Sequence, residues 1–212
     1  MPLSDDPWIA KHSIIDAERL HAIGLIEFSW NHCERNHLRI FCDLLDLDDR
    51  KGWIIGYDMG DVSISERISE ALQLSKFDEE ARRVISHYIK AYDKCRLNRN
   101  ALTHFTATSK SPSFDDATAV VLLRTKGIKG HTIEIPSSLP DLRRVAEEIY
   151  IFVVYSWKLH DALLAIRQGL PGTLPPAIAE PELLVKSPPQ THPKPTRPPK
   201  PSRGACKRKH DS

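Results

Sequence analysis

The chain has 212 residues, enough for one sizeable hydrophobic core or at most two small ones. Charged residues make up 27% and apolar residues 41%, and no apolar run reaches the ~18 residues a membrane span needs. The net charge of +2 hides an asymmetry. Residues 166–212 carry 9 Lys plus Arg against 3 Asp plus Glu, whereas residues 1–165 carry 21 against 25, so the body is mildly acidic and a poor general-purpose nucleic-acid surface.

The opening stretch "MPLSDDPWIAKHSII" has early acids and no apolar core of a signal peptide. A first long helix is expected from about Asp16 to Leu45, with Asp16 as cap. Leu20, Ile23, Trp30, Leu38, Phe41 and Leu45 recur near the helical period and mark its buried face. Glu27 and Glu34 fall on or beside that stripe, where long side chains reach out to water from its edge. "DLDDRKGWIIGYDMGD", residues 46–61, has acids, three glycines and a small apolar clip, and reads as a loop. A shorter helix follows near 63–74, with Ser63 and Glu66 at capping-box spacing.

A third helix starts at about Asp78, with Ala81, Val84, Ile85, Tyr88, Ile89 and Tyr92 as its apolar stripe. Continued by threes and fours, the stripe reaches Cys95 or Arg96, then Arg99. Arg99 therefore lies near the line of the core face, where a solvated charge does not belong. "TATSKSPSFDD" breaks the pattern. "ATAVVLLR" and "HTIEIP" around "TKGIKG" then suggest a β-hairpin packed on the helices. A last helix is expected from about Leu139 to Gln168, capped by Ser138 and ended by Gly169 and Pro171. Its stripe runs through Leu142, Val145, Ile149, Phe152, Val153, Ser156, Leu159, Leu163 and Ile166 and is broad enough for a central position or a dimer seam. Eleven of the sixteen prolines lie beyond residue 168, among Lys, Arg, Ser and Thr. Composition thus predicts a helical domain over 1–168 and a disordered, Pro-rich basic tail over 169–212.

The four cysteines, Cys33, Cys42, Cys95 and Cys206, show neither CxxC nor zinc-ligand spacing, and the histidines form no metal-type cluster. No cofactor or metal is expected, and the compartment expected from cysteine usage is a reducing cytoplasm. In the tail, "PTRPPK" fits a polyproline ligand and "CKRK" a nuclear-import or nucleic-acid patch, although a solubilising tail has the same composition.

The chemistry-bearing candidate is "RNALTH" at 99–104, where the third helix runs out. A helix puts Asn100 and His104 on one face and Arg99 about 140° away from His104. The two converge on one phosphate if the helix loosens at its end, or if a second copy of the site lies across a dimer seam. Attack by an RNA 2′-hydroxyl on the adjacent phosphate needs a proton acceptor near neutral pH, which His104 supplies. Charge building on the phosphate oxygens needs a fixed cation, which Arg99 supplies as a bidentate fork, while Asn100 orients His104 or holds substrate. Arg96, one turn earlier, adds a substrate-binding cation. A bare Arg-x4-His pair occurs by chance about once in such a chain, and Arg82-x4-His87 is a surface decoy of that kind; Asn at the second position makes the match roughly twentyfold rarer. The alternative is a helix C-terminus dressed with cations that complement its dipole.

A long helix, a short one, a third ending in "RNALTH" and a final long helix resemble the HEPN superfamily, whose pattern is R-x4–6-H, often with a polar residue after the arginine. The helix order covers about residues 15–168, and the match falls on Arg99, Asn100 and His104. The resemblance implies an up-and-down four-helix bundle, with the hairpin and the basic tail as additions to it. It implies a homodimer that pairs two motifs and a metal-independent endoribonuclease of toxin or defence type, with an antitoxin or other partner protein and no membrane. The reading from another class is a non-catalytic helical interaction module whose basic tail docks a partner or nucleic acid.

Overall fold

The structure is a computed structural model that describes residues 6–12, 15–75, 77–103, 106–108, 120–126 and 131–184. It is mainly helical. Helix α1 spans Pro7–His12, α2 Ala17–Leu44, α3 Asp49–Gly56, α4 Asp61–Leu74, α5 Glu79–Thr103 and α6 Leu139–Arg167.

Local chemistry sets most of these ends. Asp16 accepts the Arg19 backbone N–H and caps α2, and Asp78 accepts from the Ala81 N–H ahead of α5. Ser138 and Asp141 close a reciprocal capping box on α6. Gly169, at φ +70°, supplies the left-handed residue just past the end of that helix.

Two expectations fail locally. Residues 46–61 are not a loop: Asp48 accepts from the Lys51 N–H and starts α3. Gly52 and Gly56, one turn apart, let its backbone lie directly on α2, and that packing offsets the poor helix propensity of glycine. A Cβ on Gly52 would stand 2.0 Å from Cys42 Sγ, and one on Gly56 would stand 2.4 Å from Leu38 Cδ1. The helix near 63–74 begins earlier, at Asp61, with Gly60 as its cap, so Ser63 lies inside it and forms no capping box.

The core lies between α2, α4, α5 and α6, with α2 packed along α6 and also touching α4 and α5. From α5 come Ala81, Val84, Ile85, Tyr88, Tyr92 and Cys95, and from α6 Leu142, Val145, Ile149, Phe152, Val153, Leu159 and Leu163, as the periodicity predicts. In α2 the predicted Trp30, Leu38 and Phe41 are buried, together with Ala22, Ile26, Cys33, His37 and Ile40, whereas the predicted Leu20 and Leu45 are exposed. By length and composition α6 could cross a membrane, yet here its apolar side is the spine of this core.

Between α5 and α6 only backbone is described, as short extended segments at Thr106–Thr108, Val120–Lys126 and His131–Ser137. A β-hairpin insert packed on the helices is not supported.

The described chain also continues beyond the predicted boundary at 168. Residues 170–184 run without regular structure as a strap against the helices. Pro175 and Pro181 are buried, and Leu174, Ile178 and Leu184 pack on the core. Asn98, itself buried, clamps the end of the strap: its Nδ2 donates to the Glu182 carbonyl at 2.8 Å and its Oδ1 accepts the Leu184 N–H at 2.8 Å. Lys94 pairs with Glu180 at 2.6 Å, and Arg144 donates to the Glu182 carbonyl at 3.2 Å. The prolines that suggest disorder also hold the chain extended, and an extended chain needs only an apolar group every few residues to stay docked. The rest of the expected tail, 185–212, lies outside the described residues.

Candidate functional site

Arg99 occupies the last turns of α5 on the side that faces α2. Its Nε and Nη2 donate to Glu27 Oε2 of α2 at 3.2 and 3.0 Å, and its Nη1 donates to Asn100 Oδ1 at 3.2 Å. The other carboxylate oxygen of Glu27 accepts from the Thr103 hydroxyl at 2.6 Å. The side chains of Arg99 and Glu27 are 22% and 33% exposed, so this is a half-buried pair that joins two helices. Such a pair positions its cation but leaves little net charge to attract an anion.

Two turns along α2, Glu34 accepts from Trp30 Nε1 at 2.6 Å. Burial pushes its carboxyl above the usual range. The Trp30 hydrogen bond opposes that rise, and the field of Asp61 adds to it. The two glutamates therefore do not simply snorkel from the stripe edge; each is held by a named partner.

Of the four residues singled out in the sequence, the structure joins Arg99 and Asn100. Arg96 is tied to its own helix, with Nε and Nη2 both 3.3 Å from Asp93 Oδ1. His104 lies outside the described residues. The sequence reading missed Glu27 and Thr103 as partners of Arg99. A signal for Glu27 was present: an acid beside the stripe of one helix and a base beside the stripe of another are complementary when those stripes face each other.

The decoy pair has an unexpected setting. Arg82 is not a free surface residue. It donates Nε to the Phe77 carbonyl, Nη1 to Leu72 and Nη2 to Ser75, at 3.0, 2.9 and 2.6 Å, and so ties the turn between α4 and α5. His87 is half-buried, edge-on to Tyr155.

His37 is fully buried, with Nδ1 3.0 Å from the Tyr88 hydroxyl, Nε2 3.0 Å from Ser65 Oγ, and its ring stacked on Tyr92 at 3.7 Å. Burial drives its pKa down to about 3. It is thus a neutral structural hub near neutral pH, unsuited to proton transfer there. Among the described residues no group of three or more His, Cys, Asp or Glu is arranged to hold a metal ion. No protein-family model matches this chain, and neither a curated protein nor a solved structure matches it.

Proposed function

We propose that the protein is a metal-independent endoribonuclease of HEPN type, acting as a homodimer, with His104 as general acid and base and Arg99 as the phosphate clamp. The observation that carries this reading is the setting of Arg99: a guanidinium at the end of a core helix, fixed by Glu27 and backed by Asn100, in a sequence that continues to His104. A pre-positioned fork stabilises a trigonal-bipyramidal phosphate better than a mobile one, because no ordering is required as charge develops. Glu27 holds that fork in the free protein, so a phosphate must displace it. Asn100 keeps Nη1 in place while Nε and Nη2 exchange the carboxylate for substrate oxygens.

The test is incubation of purified full-length protein with single-stranded RNA, with and without EDTA. Cleavage is expected to survive the chelator and leave 2′,3′-cyclic phosphate ends. It is expected to fall by at least ~100-fold in His104→Ala, the usual weight of one acid–base group. Glu27→Gln is expected to lower KM, since it releases the fork. Absence of cleavage across varied RNAs, or cleavage equally fast in His104→Ala, removes the nuclease.

The Glu27–Arg99 pair also favours a second reading, a non-catalytic helical module in which this pair is an inter-helix tie. There Arg99→Ala lowers stability, and no RNA-processing activity is found to change.

A further inference from the structure

At the far end of α2, by helix rise about 24 Å from Glu27, a cleft of about 540 Å³ opens between the last turns of α2 and α6. Arg39, Asp43, Trp157, His160 and Arg167 line it. The Asp43 side chain is only 5% exposed and accepts from His160 Nδ1 at 2.6 Å. With Nδ1 engaged, Nε2 is the remaining polar atom of the ring, and it has no hydrogen-bond partner among the described residues.

Arg167 is largely spent on the protein: Nε on Asp46 at 2.7 Å, Nη1 on the Leu47 carbonyl at 3.0 Å and near Asp43 at 3.7 Å. Arg39 is not. It is half-buried and forms no hydrogen bond or ion pair among the described residues. A partly desolvated guanidinium without a partner carries an unrecovered cost, and a bound anion offsets it. Trp157 is 44% exposed and contacts the His32 ring edge-on, with centroids 5.8 Å apart. An indole placed in this way offers a flat ligand somewhere to stack.

We propose that this cleft binds a phosphate monoester carrying a flat ring, of the nucleoside monophosphate class. The Arg39 fork takes two phosphate oxygens, His160 Nε2 meets a third oxygen or a sugar hydroxyl, and the base stacks on Trp157. The volume fits such a ligand, since small-molecule sites span roughly 300–1,000 Å³. Two further acids line the cleft. Asp48 is already paired with Lys51 at 2.9 Å, whereas Asp161 is exposed and works against an anion. The site does not rest on the ribonuclease reading, because no residue is shared with the Arg99 end.

The experiment is calorimetric titration of the full chain with AMP, GMP and UMP, with inorganic phosphate and adenosine as separate arms. Saturable binding of at least one nucleotide is expected, tighter than either phosphate or adenosine alone. Arg39→Gln is expected to weaken it by roughly tenfold or more, the scale of one charged hydrogen-bonding fork. Trp157→Leu should weaken the nucleotide but leave inorganic phosphate unchanged, Asp161→Asn should tighten both, and Arg99→Ala should change neither. No saturation at millimolar nucleotide overturns the proposal. So does binding indifferent to Arg39→Gln in a variant whose circular dichroism matches the parent, or binding weakened by Asp161→Asn, which would mean that the phosphate does not lie near Asp161 in the cleft.

Discussion

His37, Tyr88 and Tyr92 are neighbours in the core with different hydrogen-bond accounts. The Tyr88 hydroxyl meets His37, while the buried Tyr92 hydroxyl has no partner among the described residues. Tyr88→Phe should therefore cost about 1–3 kcal/mol, because it strands a ring nitrogen, whereas Tyr92→Phe should be neutral or stabilising. Urea unfolding of both variants at pH 7.5 checks the contrast, and equal losses would refute it. His37 also makes stability depend on pH. Its folded pKa is depressed to about 3 from an ordinary 6.5, so between those values the unfolded chain binds the extra proton. The contribution is whole above pH 6.5 and is lost as pH falls toward 3, by at most about 1.4 kcal/mol per pH unit. His37→Gln should show a shallower loss over that window, read from urea midpoints at several pH values.

Helices were legible where one period carried the burial. The stripes of α5 and α6 run through large apolar residues, so counting by threes and fours found them. In α2 the period found Trp30, Leu38 and Phe41, but the buried positions also include the small Ala22 and Cys33 and the polar His37, which do not stand out as a stripe, and the prediction extended onto the exposed Leu20 and Leu45. Helix α3 was hidden because its glycines read as breakers, whereas in space they are its contact surface. Arg99 was legible as a charge out of place, but its partner was not, since sequence spacing along one helix does not say which helix lies opposite. Arg82 belongs to the same class: it reaches back to the carbonyls of Leu72, Ser75 and Phe77, which flank the turn between α4 and α5. Arg82→Ala should lower stability by about 2–3 kcal/mol, with Arg82→Lys restoring only part, because one ammonium cannot span three carbonyls. Equal stability of the lysine variant and the parent would show that charge alone suffices.

For the whole molecule, the strap carries the packed unit past residue 168, as far as Leu184 among the described residues. Composition placed its end at residue 168, since prolines and charge dominate afterwards. The packed side chains that extend it are too few to shift an average. A chain cut after 168 should melt roughly 10 °C below the full protein, from loss of about 3 kcal/mol of apolar contact and hydrogen bonding, while a chain cut after Leu184 should melt with it. Calorimetry of the two truncations decides this, and coincident melting of the shorter form with the full chain would make the strap an ornament. The clasp at Asn98 grips peptide groups and ignores which side chains hang from them. Mutational drift at Glu182 is therefore cheap, while at Asn98 even aspartate, its nearest isostere, forfeits a donor.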